Sequence, residues 1–171
     1  MVGMKFIDLF CGVGGFRWAL EALGHKCAFS SDIDPHAQET YALNFGEKPF
    51  GDITCIDPSD IPGHDVLCGG FPCQPFSTAG LQQGFNDTKD RGKIIFNILD
   101  YITKQRPKVF ILENVKGFTT LARGKYLNSV LLALNSIGDG AYQVHHKLLN
   151  TLEHGVPQNR PKWYCVGLLV C

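Results

Sequence analysis

The stretch KFIDLFCGVGGF, residues 5–16, decides the fold. Residues 5–10 form a short, mostly apolar run, the pattern of a buried strand. Gly12, Gly14 and Gly15 follow as a turn, and GFRWALEALG (15–24) reads as a helix closed by Gly24. Strand, glycine turn and helix in that order open an α/β unit. The same alternation continues. KCAFSSD (26–32) reads as a strand, Pro35 opens a helix through about Asn44, and DVLCGG (65–70) reads as a third strand. Residues 74–90 have the composition of a long polar loop and residues 91–105 that of a helix. KVFILE (108–113) is another strand, and Leu127, Val130, Leu131, Leu134 and Ile137 fall at helical spacing. Residues 141–149 and 162–170 read as two final strands. The expectation is one α/β domain over residues 1–171, with a mostly parallel sheet and helices on both faces.

At 171 residues the chain is long enough for one domain with a real core. No apolar run approaches the ~18 residues of a membrane span, and Asp8 interrupts the only early apolar segment, so neither a membrane role nor a secretory leader is expected. Seven cysteines, at 11, 27, 55, 68, 73, 165 and 171, form no Cys-x-x-Cys pair. No metal site and no disulfide framework is expected, and a reducing, cytoplasmic setting is. The net charge of zero hides a division. Residues 1–86 carry 4 basic and 10 acidic side chains, whereas residues 87–171 carry 12 and 6. Such polarity suits a face that meets a polyanion, or an ordinary solvated surface.

In an open α/β sheet, ligands bind beyond the carboxyl ends of the strands. The first strand runs into the glycine turn, and the second ends at Asp32, twenty residues after Gly12. Glycines let a ligand approach the backbone, and an acid at that spacing accepts hydrogen bonds from ribose hydroxyls. Arg17 stands where a dinucleotide fingerprint has its third glycine, which favours a nucleoside without phosphates. A tight strand–helix turn without a ligand is the alternative. The third strand leads into GGFPCQPFS (69–77), where Pro72 and Pro75 restrict the backbone around Cys73. This geometry presents a thiol in one direction, as a nucleophile needs, or seats a buried cysteine in a rigid turn. The strand over 108–113 ends at Glu113, an acid able to hydrogen-bond a heterocycle when protonated, or a surface charge.

Taken in order, DLFCGVGGF (8–16), Asp32, GDIT (51–54), GFPCQPFS (70–77), ENV (113–115) and GVPQNRPKWYCVG (155–167) resemble the successive motifs of the cytosine-C5 DNA methyltransferases. The resemblance covers nearly the whole chain and implies the Rossmann-like fold of S-adenosylmethionine-dependent methyltransferases. It implies a seat for S-adenosylmethionine, with S-adenosylhomocysteine as product. Phe10, Gly12, Gly14 and Gly15 would line it, Asp32 would bind the ribose, Ile33 would pack on the adenine, and Asp52, Ile53 and Pro72 would complete it. Cys73 would attack C6 of a cytosine flipped out of the duplex, Glu113 would hold N3 protonated, and Arg160 and Lys162 would support the base. Residues 74–90 would close over the flipped base.

Two departures stand out. Family members commonly carry a second arginine where this chain has Lys162, which keeps the charge and loses the planar fork. The family also normally continues into a target-recognition domain, and a late segment returns to the cofactor pocket. The chain instead stops at WYCVGLLVC. Either that strand is central and buried, or a following part is absent and apolar surface is left uncovered. The leading expectation is the catalytic half of a split enzyme, acting on double-stranded DNA with a second polypeptide that reads the sequence. A shortened gene product, a non-catalytic cofactor- or partner-binding remnant, and an enzyme acting on transfer RNA are the alternatives. The location expected is cytoplasmic, with the nucleoid if bacterial or the nucleus if eukaryotic.

Overall fold

The computed structural model of the chain describes residues 3–72 and 93–170. Its strands are β1 (Lys5–Leu9), β2 (Lys26–Ser31), β3 (Val66–Gly70), β4 (Val109–Val115), β5 (Tyr142–Asn150) and β6 (Pro161–Leu169). Its helices are α1 (Gly15–Ala22), α2 (Pro35–Phe45), α3 (Lys93–Gln105) and α4 (Lys125–Ser136). The expected elements are present within a residue or two of their expected ends. The loop expected over 74–90 lies outside the described residues. Between β4 and α4 the chain takes a run of tight helical turns, Lys116–Gly124, that the apolar spacing did not signal.

The six strands form one sheet in the order β2-β1-β3-β4-β6-β5. The β1–β2, β1–β3 and β3–β4 pairs are parallel, while β6 runs antiparallel to both β4 and β5. The apolar ending is therefore an interior strand. Trp163 and Cys165 of β6 are fully buried, whereas Leu168 and Val170 are partly exposed. Pro161 begins β6 as its first residue, a position where a missing N–H is tolerated in a sheet.

Alternate residues face opposite ways on each strand, and both faces carry helices. Ile7, Leu9, Leu67, Phe110 and Leu112 share the larger core with Ile98 and Ile102 of α3 and Val130 and Leu134 of α4. Phe6, Val66 and Cys68 meet Phe16 and Leu20 of α1 on the other face. The larger core is rich in rings. Phe118 contacts Trp163 at 4.8 Å, Tyr126 at 5.3 Å and Phe71 at 5.6 Å between centroids. Phe71 thereby anchors the chain as it leaves β3. Among the described residues no helix is long and apolar enough to cross a membrane.

Gly167 is the point of closest packing. A Cβ there would lie 2.1 Å from the ring of Phe110, which is itself fully buried. Filling so tight a contact displaces a core ring, at a cost of roughly 1–3 kcal/mol. Gly167→Ala is expected to lower the free energy of unfolding measured by denaturant titration by that amount, while Ala substitution at exposed Leu43 leaves it nearly unchanged.

Candidate active site

The glycine turn is held by its own chain. Phe10, at the end of β1, has φ 58°, a left-handed conformation costly for a bulky residue and found where a site imposes it. Gly12 N–H donates to Asp32 Oδ2 at 2.7 Å, and Asp34 N–H donates to Asp32 Oδ1 at 2.9 Å. The acid twenty residues after Gly12 thus clamps the turn, and each of its oxygens keeps a lone pair for a ligand. Gly14, at φ 95°, leaves the space where a Cβ would lie 2.2 Å from the ring of Phe45. Its lack of a side chain serves the approach of α2 to the turn. Arg17 points away from the turn. It donates to Tyr41 Oη at 3.1 Å, pairs with Glu21 and Glu47, and lies 4.4 Å from the Phe45 ring centre. It ties α1 to α2.

Beside the turn opens a cavity of about 730 Å³, lined by Phe10, Ser31, Asp32, Ile33, Gly51, Asp52, Ile53, Thr54, Pro72, Ile94 and Asn97. Six residues singled out from the sequence, Phe10, Asp32, Ile33, Asp52, Ile53 and Pro72, meet there. Gly12, Gly14 and Gly15 shape the turn behind it. Ile33 is 70% exposed, a large apolar side chain left open at the cavity mouth. Asp52 accepts from the N–H and hydroxyl of Thr54, which fixes its carboxylate at the rim. Of the walls not singled out from the sequence, Gly51 and Thr54 stand at the ends of GDIT (51–54), while Ser31, Ile94 and Asn97 belong to none of the quoted motifs. Ile94 and Asn97 come from α3, more than fifty residues away in the chain. Among the described residues the lining contains carboxylates, apolar groups and an amide and no Lys or Arg. This donor set suits a nucleoside bearing positive charge and disfavours a pyrophosphate.

A second centre lies at the adjoining strand ends. In the register of the sheet Glu113 sits opposite Gly70 on one side and Tyr164 on the other. Because β6 runs backwards, its first residues reach the same edge, and Lys162 Nζ forms an ion pair with Glu113 Oε1. Both side chains are mostly buried, at 18% and 17% exposure. Arg160 is exposed nearby, its N–H donating to Asn150 Oδ1 at 3.1 Å. A Cβ on Gly70 would lie 3.5 Å from Glu113 Oε2 and 3.8 Å from the Phe10 carbonyl oxygen. The acid and the cofactor-side turn therefore flank the same point.

Cys73 lies outside the described residues, but the chain leading to it is held. Asn114, buried at the end of β4, donates from Nδ2 to the Phe71 carbonyl at 3.1 Å. In the sequence it stands inside ENV (113–115), where nothing marks it as the residue that holds this segment. Burial pushes the thiols of Cys11, Cys27, Cys68 and Cys165 up, away from the reactive thiolate. Among the described residues no three His, Cys, Asp or Glu side chains are placed to hold a metal ion.

The sequence profile of the C-5 cytosine-specific DNA methylases matches residues 4–170. The chain belongs to that family. It is 53% identical over 165 residues to the type II methyltransferase M.HaeII of Haemophilus aegyptius, covering 96% of this chain and 50% of that protein. To M.NgoBI of Neisseria gonorrhoeae it is 52% identical, covering 95% and 50%. This C-5 methylase chain therefore spans about half the length of these curated relatives. The crystal structure of the S. pombe Dnmt2 methyltransferase superposes with a TM-score of 0.72 over 97% of this chain and 51% of the other, at 24% identity. That likeness supports the S-adenosylmethionine-dependent methyltransferase type of fold.

One acid of this C-5 methylase fold has a measurable signature. Burial raises Asp8 from the ordinary carboxylate value of 3.8 to about 7, against the N–H of Arg17, which lowers it. The folded state thus binds a proton that the unfolded chain has released. This contribution to stability is full below about pH 4 and is lost as pH rises through about 7. Asp8→Asn, which stays neutral, is expected to unfold at a temperature several degrees above the parent at pH 8, with the gap closing toward pH 4, in paired thermal melts.

Proposed function

We propose that the chain carries the cofactor seat and the base-activating residues of a DNA cytosine-C5 methyltransferase. The observation that carries this reading is the juxtaposition of the Glu113–Lys162 pair with the Asp32-clamped cavity across Gly70. In this reading Asp32 takes the ribose hydroxyls of S-adenosylmethionine, Asp52 the adenine edge, and Ile33 with Phe10 the adenine faces. Gly12, Gly14 and Gly15 keep the backbone low beside it, with Ile53 and Pro72 as walls. When bound, the cofactor supplies an electrophilic methyl group.

The residues then divide the work. The Cys73 thiolate adds to C6 of a flipped-out cytosine, forming a C–S bond. Glu113, entering this step in its protonated form, gives its proton to N3, so the electron pair released by the addition makes an enamine that is nucleophilic at C5 instead of a free carbanion, and Lys162 holds the carboxylate left behind. Once C5 carried the methyl group, removal of its proton by a base would re-form the C5–C6 double bond and expel the Cys73 thiolate, and the N3 proton would return to Glu113. Lys162 fixes Glu113 by one oxygen and leaves the other, Oε2, toward Gly70. Arg160 adds positive charge for the base or the nearby phosphates. Asn114 holds the Phe71–Pro72 segment, and with it the direction in which Cys73 is presented.

Recognition of double-stranded DNA is assigned to a region outside these residues, with a second polypeptide as one form of it. In the relatives the unmatched half, which leaves room for such a region, belongs to the same chain. The test is transfer of labelled methyl groups to duplex DNA and to transfer RNA, by the chain alone and with host lysate freed of other methyltransferases. Transfer to DNA only with lysate supports the assignment, transfer by the chain alone removes the second polypeptide, and preference for transfer RNA replaces the substrate. In the active preparation Cys73→Ala is expected to abolish transfer and to leave S-adenosylmethionine binding within about twofold, because it removes the nucleophile and not the seat. Lys162→Ala is expected to lower the rate roughly 100-fold, and Lys162→Arg to keep it within about tenfold.

A further inference from the structure

Asp8 has no place in the chemistry above, yet its setting is unusual. It is fully buried on β1, and its carboxyl oxygens have no well-formed hydrogen bond, the nearest donor being the backbone N–H of Arg17 in the first turn of α1. It faces α1, flanked in register by Ser30 of β2 and Cys68 of β3. Above it lies the first turn of α1, whose N-cap, Gly14, offers no side chain to the free N–H groups. The ionisable groups around it are Cys27 from β2, Asp32 just after that strand, Cys68 from β3, Cys11 from the turn and Arg17 from α1. The one cation among them is committed, since Arg17 already pairs with Glu21 and Glu47 and bonds Tyr41 on α2. Two carboxyl groups thus bracket the glycine turn. Asp32 grips it from the cavity side, and Asp8 lies beneath it with no counter-charge of its own.

Such a pair cannot easily hold two negative charges unless a positive charge arrives. We propose that Asp8 is a positioning residue that senses the charge of what occupies the neighbouring seat, remaining an uncharged acid beside a neutral ligand and ionising beside a cationic one. This rests on the reading of the cavity as the seat of S-adenosylmethionine. That cofactor carries a sulfonium cation, and its product, S-adenosylhomocysteine, is the neutral thioether left when the methyl group leaves. Binding of the substrate form releases the Asp8 proton, and the ionised carboxylate then attracts the free N–H groups of the first turn of α1. After methyl transfer the charge is gone, Asp8 takes a proton back, and the turn loosens around the product. The seat would thereby prefer substrate over product by an amount that depends on pH.

The test is a carbon-13 NMR titration of the Asp8 carboxyl in the full chain, free and saturated with each ligand, together with calorimetric affinities of both ligands. The Asp8 midpoint is expected to fall with S-adenosylmethionine and to stay near its free value with S-adenosylhomocysteine. By linkage, the preference for S-adenosylmethionine should rise about threefold or more between about pH 5.5 and pH 7.5. Asp8→Asn should bind both ligands with a ratio that lacks this rise. Equal midpoints with the two ligands, or an unchanged rise in the variant, would overturn the proposal while leaving the cofactor reading intact. Failure of the parent chain to bind either ligand would overturn the cofactor reading, and this proposal with it.

Discussion

Everything at the strand ends depends on the backward course of β6 between β4 and β5. A parallel strand in that place would bring Leu168 and Leu169 to the site edge and bury Lys162 at the far end. Running backwards, β6 delivers Lys162 to Glu113 and carries Trp163 and Cys165 into the core beneath α4. The tight fit of Phe110 against Gly167 locks the two strands together lower down. A charged pair that is mostly withdrawn from water needs fixed partners. The sheet supplies them through backbone hydrogen bonds that do not depend on the side chains' own preferences.

The glycine turn shows how one motif serves two purposes. Gly12 lets the backbone turn and gives its N–H to Asp32, which is the ligand-facing half of the work. Gly14 is required for another reason, because the ring of Phe45 fills the space its side chain would take. The departure at Arg17 has the same origin. The position that a dinucleotide fold keeps small for close helix–strand packing is used here to bind α1 to Tyr41 and Phe45 of α2 and to Glu47 just beyond it.

Much of this was legible in the sequence. Buried strands announced themselves as short apolar runs, and the spacing of Gly12 and Asp32 encodes a contact that the structure contains. Asp52, Ile53 and Pro72 were placed through motif resemblance, and they do line the cavity. What was not legible depends on neighbours that no local pattern reports. The direction of β6 follows from which strand it pairs with, so the Glu113–Lys162 contact could be expected only by analogy. Ile94 and Asn97 reach the cavity because α3 crosses the strand ends, a tertiary fact. Asn114 stood inside the ENV motif, but its role was hidden because no local pattern names its partner, the Phe71 carbonyl. The expectations for Cys73 and the segment after it fall outside the described residues.

Glu113 and Asn114 are consecutive on β4 and therefore point to opposite faces of the sheet. One presents an acid to the ligand side, and the other reaches through the protein interior to the segment ahead of Cys73. The placing of the acid and of the Phe71 carbonyl is thus set by the parity of a single strand. A slip of one residue in the pairing of β4 would exchange the two faces, sending a carboxylate inward and an amide outward. Such a slip would be rejected by the core before it could be felt in the chemistry. Folding itself proofreads the site, so that a chain able to bury Phe110, Leu112 and Asn114 together has already aimed its acid.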